Sequence, residues 1–156
     1  MAYLICLLGG LTAIIMAVMI ELPLLLAFRE RAIQALITGF VEEPVKQIGV
    51  AFVAFKSSII SSPRMGAIGG AFAGLGFGGI EAILFISFLS YAIPSHEAVT
   101  LRIPLVLFHI FLSAIAGAGV YFGASGGAVG KIKMVVLIAL ASTIHSLWNY
   151  VAFTAL

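Results

Sequence analysis

A polytopic helical membrane bundle, all-α with about five transmembrane helices (four to six), is the fold class this sequence predicts, on three observations. Of the 156 residues, 63% are hydrophobic and 9% charged, with a mean hydropathy of +1.25. So few charges could not cover the surface of a water-soluble domain of this size. The apolar residues also come in runs of about 20 or more, the length that crosses a hydrocarbon core. These runs are continuous rather than alternating with period two, so helices, not a barrel, must satisfy their backbone amides.

The first span covers about 3–28. It starts without a basic leader or an A-x-A cleavage site, which predicts a retained helix rather than a removed signal peptide. The others are expected at 32–55, 65–93, 103–123 and 134–156, in a single domain with its polar core between about 39 and 150. The connections at 29–31, 56–64, 94–102 and 124–133 are short, so neighbouring helices pack antiparallel. Lys56, Arg64, Lys131 and Lys133 fall on one side and Arg29, Arg31 and Arg102 on the other, a balance too even to set orientation. In the third span Gly66, Gly70, Gly74 and Gly78 recur every four residues, making a smooth face for a close neighbour. Ser113, Gly117, Gly119 and Gly123 do similar work in the fourth. Such faces can also join copies of the chain.

A formal charge of +2, spread over short loops, gives no stripe for nucleic acid. The single cysteine, Cys6, excludes a disulfide framework and a cysteine-based zinc site. The partners left are the lipid bilayer and molecules within or beside it.

Against this background the ionisable residues inside the spans stand out. Each costs about 2.5–3.5 kcal/mol at mid-membrane, so Glu42, Glu43, Lys46 and Glu81 together would cost roughly 12 kcal/mol if charged and unpaired. They must be paired, protonated, metal-bound or lining a wet cavity. Glu42 and Lys46 share a helix face, and Glu43 reaches Lys46 three residues on, so one ammonium serves two carboxylates. Pro44 frees the carbonyl of Phe40 and predicts a kink or a helix start nearby. Glu81 follows the glycine-rich stretch Gly74-Leu75-Gly76-Phe77-Gly78-Gly79. Arg102 precedes His109 by two turns, and His145 and Asn149 lie one above the other. Spans two to five thus each deliver a polar element at similar depth, which predicts one shared site. Glutamates and neutral imidazoles suit a general base, and equally a zinc set of two nitrogens and a carboxylate, Glu81, His109 and His145. Asn149 would serve an oxyanion, with Lys46 and Arg102 in support.

Taken in order, Glu42-Glu43-x-x-Lys46, Gly74-x-Gly76 with Phe77-x-x-x-Glu81, Arg102 followed by His109, and His145-x-x-x-Asn149 resemble the motifs of the PrsW family of intramembrane proteases. That family is grouped with the CAAX prenyl endopeptidases and bacteriocin-immunity proteins. The resemblance spans about 39–150 and departs at Ala82, where many relatives have asparagine. It implies a multi-pass protein of a prokaryotic cell membrane that cleaves a membrane-embedded or membrane-proximal peptide, as in regulated proteolysis of an anti-sigma factor. It leaves a metal-dependent and a metal-free glutamate mechanism both open.

Two other classes use the same polar cluster: a metal or proton transporter, against which the missing inverted repeat counts, and a non-catalytic binding or immunity protein. Among protease types, Gly123-Ala124-Ser125-Gly126 has the rhomboid G-x-S-G form but sits in a polar connection, and aspartyl chemistry is excluded because the chain has no aspartate. His96-Glu97 lacks the second histidine of H-E-x-x-H.

Overall fold

The computed structural model describes residues 1–155. It contains α1 (Ala2–Ala27), α2 (Arg31–Lys46), α3 (Ile48–Lys56), α4 (Pro63–Leu89), α5 (Ser95–Ser125) and α6 (Gly127–Ala155), with no strand among the described residues. α1, α4, α5 and α6 are each long and apolar enough to cross a membrane. The chain is an integral membrane protein.

The expected second span arrives as two helices. Pro44 is carried inside α2, and the break falls three residues later, at Gln47 (φ −80, ψ −2). There the Gln47 N–H donates to the Pro44 carbonyl at 3.1 Å, and Ala51 N–H resumes the ladder on Gln47 O at 2.7 Å. A proline removes one donor and crowds the preceding turn, so a local tightening just beyond it is the physical outcome. Gln34 Nε2 donates to Phe28 O at 3.1 Å and ties α2 to the end of α1. Ser62 caps α4 by accepting from Met65 N–H at 3.2 Å, with Pro63 at the first helical position.

The last two spans start earlier than expected. Residues 95–102, read as a connection from their polar side chains, already form the first turns of α5, and 127–133 belong to α6. α5 has 31 residues, about 46 Å at ~1.5 Å per residue, against a hydrocarbon core of about 30 Å. Its polar end therefore extends beyond the apolar zone while remaining helical. Gly127, with φ 57, takes the left-handed conformation that reverses the chain into α6.

Backbone contact holds the bundle together. A Cβ added at Gly70 or Gly74 would run into the carbonyl of Ser113 or His109 in α5, and one at Gly66 would lie 2.6 Å from Gly117 O. Gly119 and Gly123 face Leu137 and Met134 of α6 instead, so the small residues of α5 serve two neighbours. α1 is sealed to α4 where Gly10 meets the Ala73 carbonyl and Gly76 meets Leu7, and to α3 through Gly9 and Gly49. Buried Cys6, Val50, Val53, Ala73 and Val120 fill the space between these seams.

A sharp contrast follows between two glycines of α4. Gly70→Ala is expected to lower unfolding stability in detergent by about 3 kcal/mol, the upper end for overpacking. Gly79→Ala, with nothing within 4 Å of its Cβ, should be neutral or stabilising by about 0.5–1 kcal/mol through helix propensity. Parallel thermal melts of the two variants check this.

Candidate active site

The polar residues meet because small residues bring their helices together. Gly39, one turn before the paired glutamates, leaves its Cβ position to Ser142 and Ser146, so α2 lies directly on α6 and Glu43 reaches His145. Gly78 does the same for α5: a Cβ there would sit 2.9 Å from His109 Cδ2. The glycine face expected to serve packing thus also makes room for the imidazole.

Glu43 and Lys46 are both 0% exposed. Lys46 Nζ lies 2.8 Å from Glu43 Oε1, 3.0 Å from Glu42 Oε2 and 2.8 Å from His109 Nδ1, and 4.3 Å from the centre of the Phe77 ring. An ammonium can only donate, so His109 Nδ1 accepts, which places the ring proton on Nε2, and that N–H donates to Glu81 Oε2 at 2.8 Å. His145 Nδ1 meets Glu43 Oε1 at 2.9 Å, and Ser113 Oγ donates to Glu43 Oε2 at 3.3 Å. A carboxylate can only accept, so the His145 proton is on Nδ1 and its Nε2 carries a free lone pair. The two rings stand edge to face with centroids 5.1 Å apart.

Glu42 differs from Glu43. It is 5% exposed, and its Oε2, 3.0 Å from Lys46 Nζ, is held by an ion pair and not by a directed hydrogen bond. It sits 3.7 Å from His145 Nε2. Both groups open into a cavity of about 380 Å³ that is also lined by Glu81, His109, Arg102 and Asn149, with Phe108 and Trp148 among its walls. Arg102 lies against the Phe85 ring at 3.7 Å, with Nη2 3.7 Å from Glu81 Oε1, and its Nε and Nη2 are buried without acceptors.

All eight residues expected at a shared site come together. Glu42, Glu81, His109, His145, Asn149 and Arg102 line the cavity, while Glu43 and Lys46 form its support. The grouping of potential metal ligands differs from the expected set. Glu42, His109 and His145 offer ligand atoms all within 4.8 Å of one another, and Glu81 is bonded to His109 Nε2. Spacing could not separate Glu42 from Glu81, because only the assembled helices fix which carboxylate faces both imidazoles. Glu21 was missed. It stands inside α1, lines the same cavity and has a buried Oε1 without a donor. Its signal was available: it is the one charged residue of an otherwise apolar helix. Ser125, exposed and bonded to the Tyr121 carbonyl at 2.8 Å, and the exposed pair His96 and Glu97 take no part.

The donor set suits a divalent metal. Glu42 Oε2 faces His145 Nε2 at 3.7 Å, His145 presents a lone pair there, and Glu43 on His145 Nδ1 is the outer carboxylate that commonly orients a ligating imidazole. His109 completes the group, and its ring is set by Lys46 on Nδ1 and Glu81 on Nε2.

Comparison with curated proteins and with solved structures gives no match. A family model described as PrsW family intramembrane metalloprotease matches residues 1–156. With that match over its whole length, and apolar helices enclosing a Glu/His/His group, the chain belongs to the PrsW family of intramembrane metalloproteases.

Proposed function

We propose that this chain hydrolyses a peptide bond of a membrane-embedded or membrane-proximal substrate in the cavity between α2, α4, α5 and α6, with Glu42 as the group that meets the attacking water. The observation that carries this reading is the meeting of Glu42, His109 and His145 at one cavity, with ligand atoms all within 4.8 Å of one another and Glu42 Oε2 3.7 Å from His145 Nε2.

Glu43 is a positioning residue. Held by Lys46, Ser113 and His145, it fixes the imidazole tautomer that leaves Nε2 free. A bound divalent metal would be held by Glu42, His109 and His145, and would supply Lewis acidity that makes water nucleophilic near neutral pH. Glu81, hydrogen-bonded to His109 and lining the cavity, is then the carboxylate placed to accept the proton of water. Arg102 and Asn149 line the same cavity and present N–H donors to a substrate carbonyl as its oxygen gains charge.

Co-expression with candidate membrane substrates tests this. Wild type is expected to cut a substrate that Glu42→Gln and His145→Ala leave intact, and equal processing by all three would remove the enzymatic assignment. Elemental analysis of purified protein should find about one equivalent of a divalent transition metal, lost in His145→Ala; metal-free protein that still cleaves would leave Glu42 acting alone as base.

A further inference from the structure

Glu21 has no role in the hydrolytic centre just described. A carboxylate inside an apolar span is expensive and marks a functional position by default. Lys46 and Arg102, the cations nearest the cavity, pair with Glu42, Glu43 and Glu81, and neither forms an ion pair with Glu21. Its Oε1 is buried without a donor.

The space around it is specific. Glu21 lines the hydrolytic cavity and also a second one of about 240 Å³ between α1 and α4. Ile14, Ala17, Phe77 and Phe85 are among the apolar walls of this second cavity, and exposed Val18, Leu84 and Phe88 lie on its outer side. Glu42 and Glu81 line both cavities as well. Glu42, 5% exposed and ion-paired with Lys46, stands on this shared wall, which leaves Glu21 Oε1 as the carboxylate oxygen there without a partner. The result is a greasy slot, open on the side that faces lipid, that ends on carboxylates beside the reacting groups. Lysine and arginine have the complementary form, an apolar stem carrying a cationic head.

We propose that Glu21 is a specificity residue that binds the cationic head of a substrate lysine or arginine next to the scissile bond, with the slot between α1 and α4 holding its stem. This rests on the hydrolytic reading above and names the substrate class for it. Among the described residues no cation forms an ion pair with Glu21, so the substrate brings one, and that pair forms away from bulk water, where it discriminates strongly.

The test uses purified full-length protein in lipid nanodiscs and a library of transmembrane peptides, with cleavage sites read by mass spectrometry. Matched peptides then carry lysine, arginine, norleucine or glutamate at the preferred position. Wild type should favour lysine or arginine over norleucine by at least tenfold in kcat/KM, with a clear ranking of amine against guanidinium. Glu21→Gln should remove that ratio, Glu21→Asp should restore part of it, and Glu21→Lys should turn the preference towards glutamate. A purely structural role would alter total activity without inverting the preference, so the ratio separates the two even where a variant is less stable. A wild-type ratio near one, or a ratio unchanged in Glu21→Gln, overturns this proposal alone. No cleavage of any peptide by wild type overturns the hydrolytic reading and this proposal with it.

Discussion

Glu42→Gln is expected to lower peptide cleavage by about three orders of magnitude while the bundle stays folded. A carboxylate that positions or deprotonates the attacking water contributes roughly 10²–10⁴ in rate, and glutamine keeps the shape of the side chain without its charge. Glu42→Gln loses one ion pair, but Lys46 keeps its direct hydrogen bond to Glu43 at 2.8 Å, so the ammonium stays compensated. Glu43→Gln should differ in kind, because Glu43 is fully enclosed and accepts from Lys46, His145 and Ser113. It should lose both cleavage and stability. Single-turnover cleavage rates, set beside thermal melts of the same preparations, distinguish the two. Near-normal cleavage by Glu42→Gln would show that the roles are assigned to the wrong glutamate.

The second large effect is on stability. Lys46→Met removes the ammonium that lies within 3.0 Å of Glu42, Glu43 and His109, and leaves two neighbouring carboxylates without it. Removing one partner of a buried ion pair costs about 3–5 kcal/mol, because the remaining charge is uncompensated. The double variant Lys46→Met with Glu43→Gln should regain part of that loss, since it also removes a stranded charge. Denaturation in detergent of the wild type, both single variants and the double variant gives the coupling. Strictly additive losses would mean that Lys46 and Glu43 do not depend on each other.

The spans and the meeting of the site residues were readable because the membrane imposes two strong rules: apolar length and the cost of buried charge. Glu42, Glu43, Lys46, Glu81, His109 and His145 all break the second rule, so each could be picked out one residue at a time. The helix ends of α5 and α6 were not readable in this way. Arg102, Lys131 and Lys133 read as loop markers, but polarity reports the edge of the hydrocarbon core, and α5 and α6 cross that edge as helix. The division between Glu42, open to the cavity, and Glu43, locked behind it, depends on how α6 lies against Gly39, a three-dimensional fact with no local signature. Glu21 was passed over because it stands alone, with no neighbour in the sequence to suggest a motif.

The tight seams between backbones also limit how this molecule can move. α4 and α5 touch main chain to main chain from Gly66 to Gly74, so the pair that carries Glu81 and His109 behaves as one stiff plank with no slack for sliding. α1 is pinned to that plank at Gly10 and Gly76 and packs Ala13 and Ala17 into one cluster with Phe77 and Val45, so its middle is carried along with the pair.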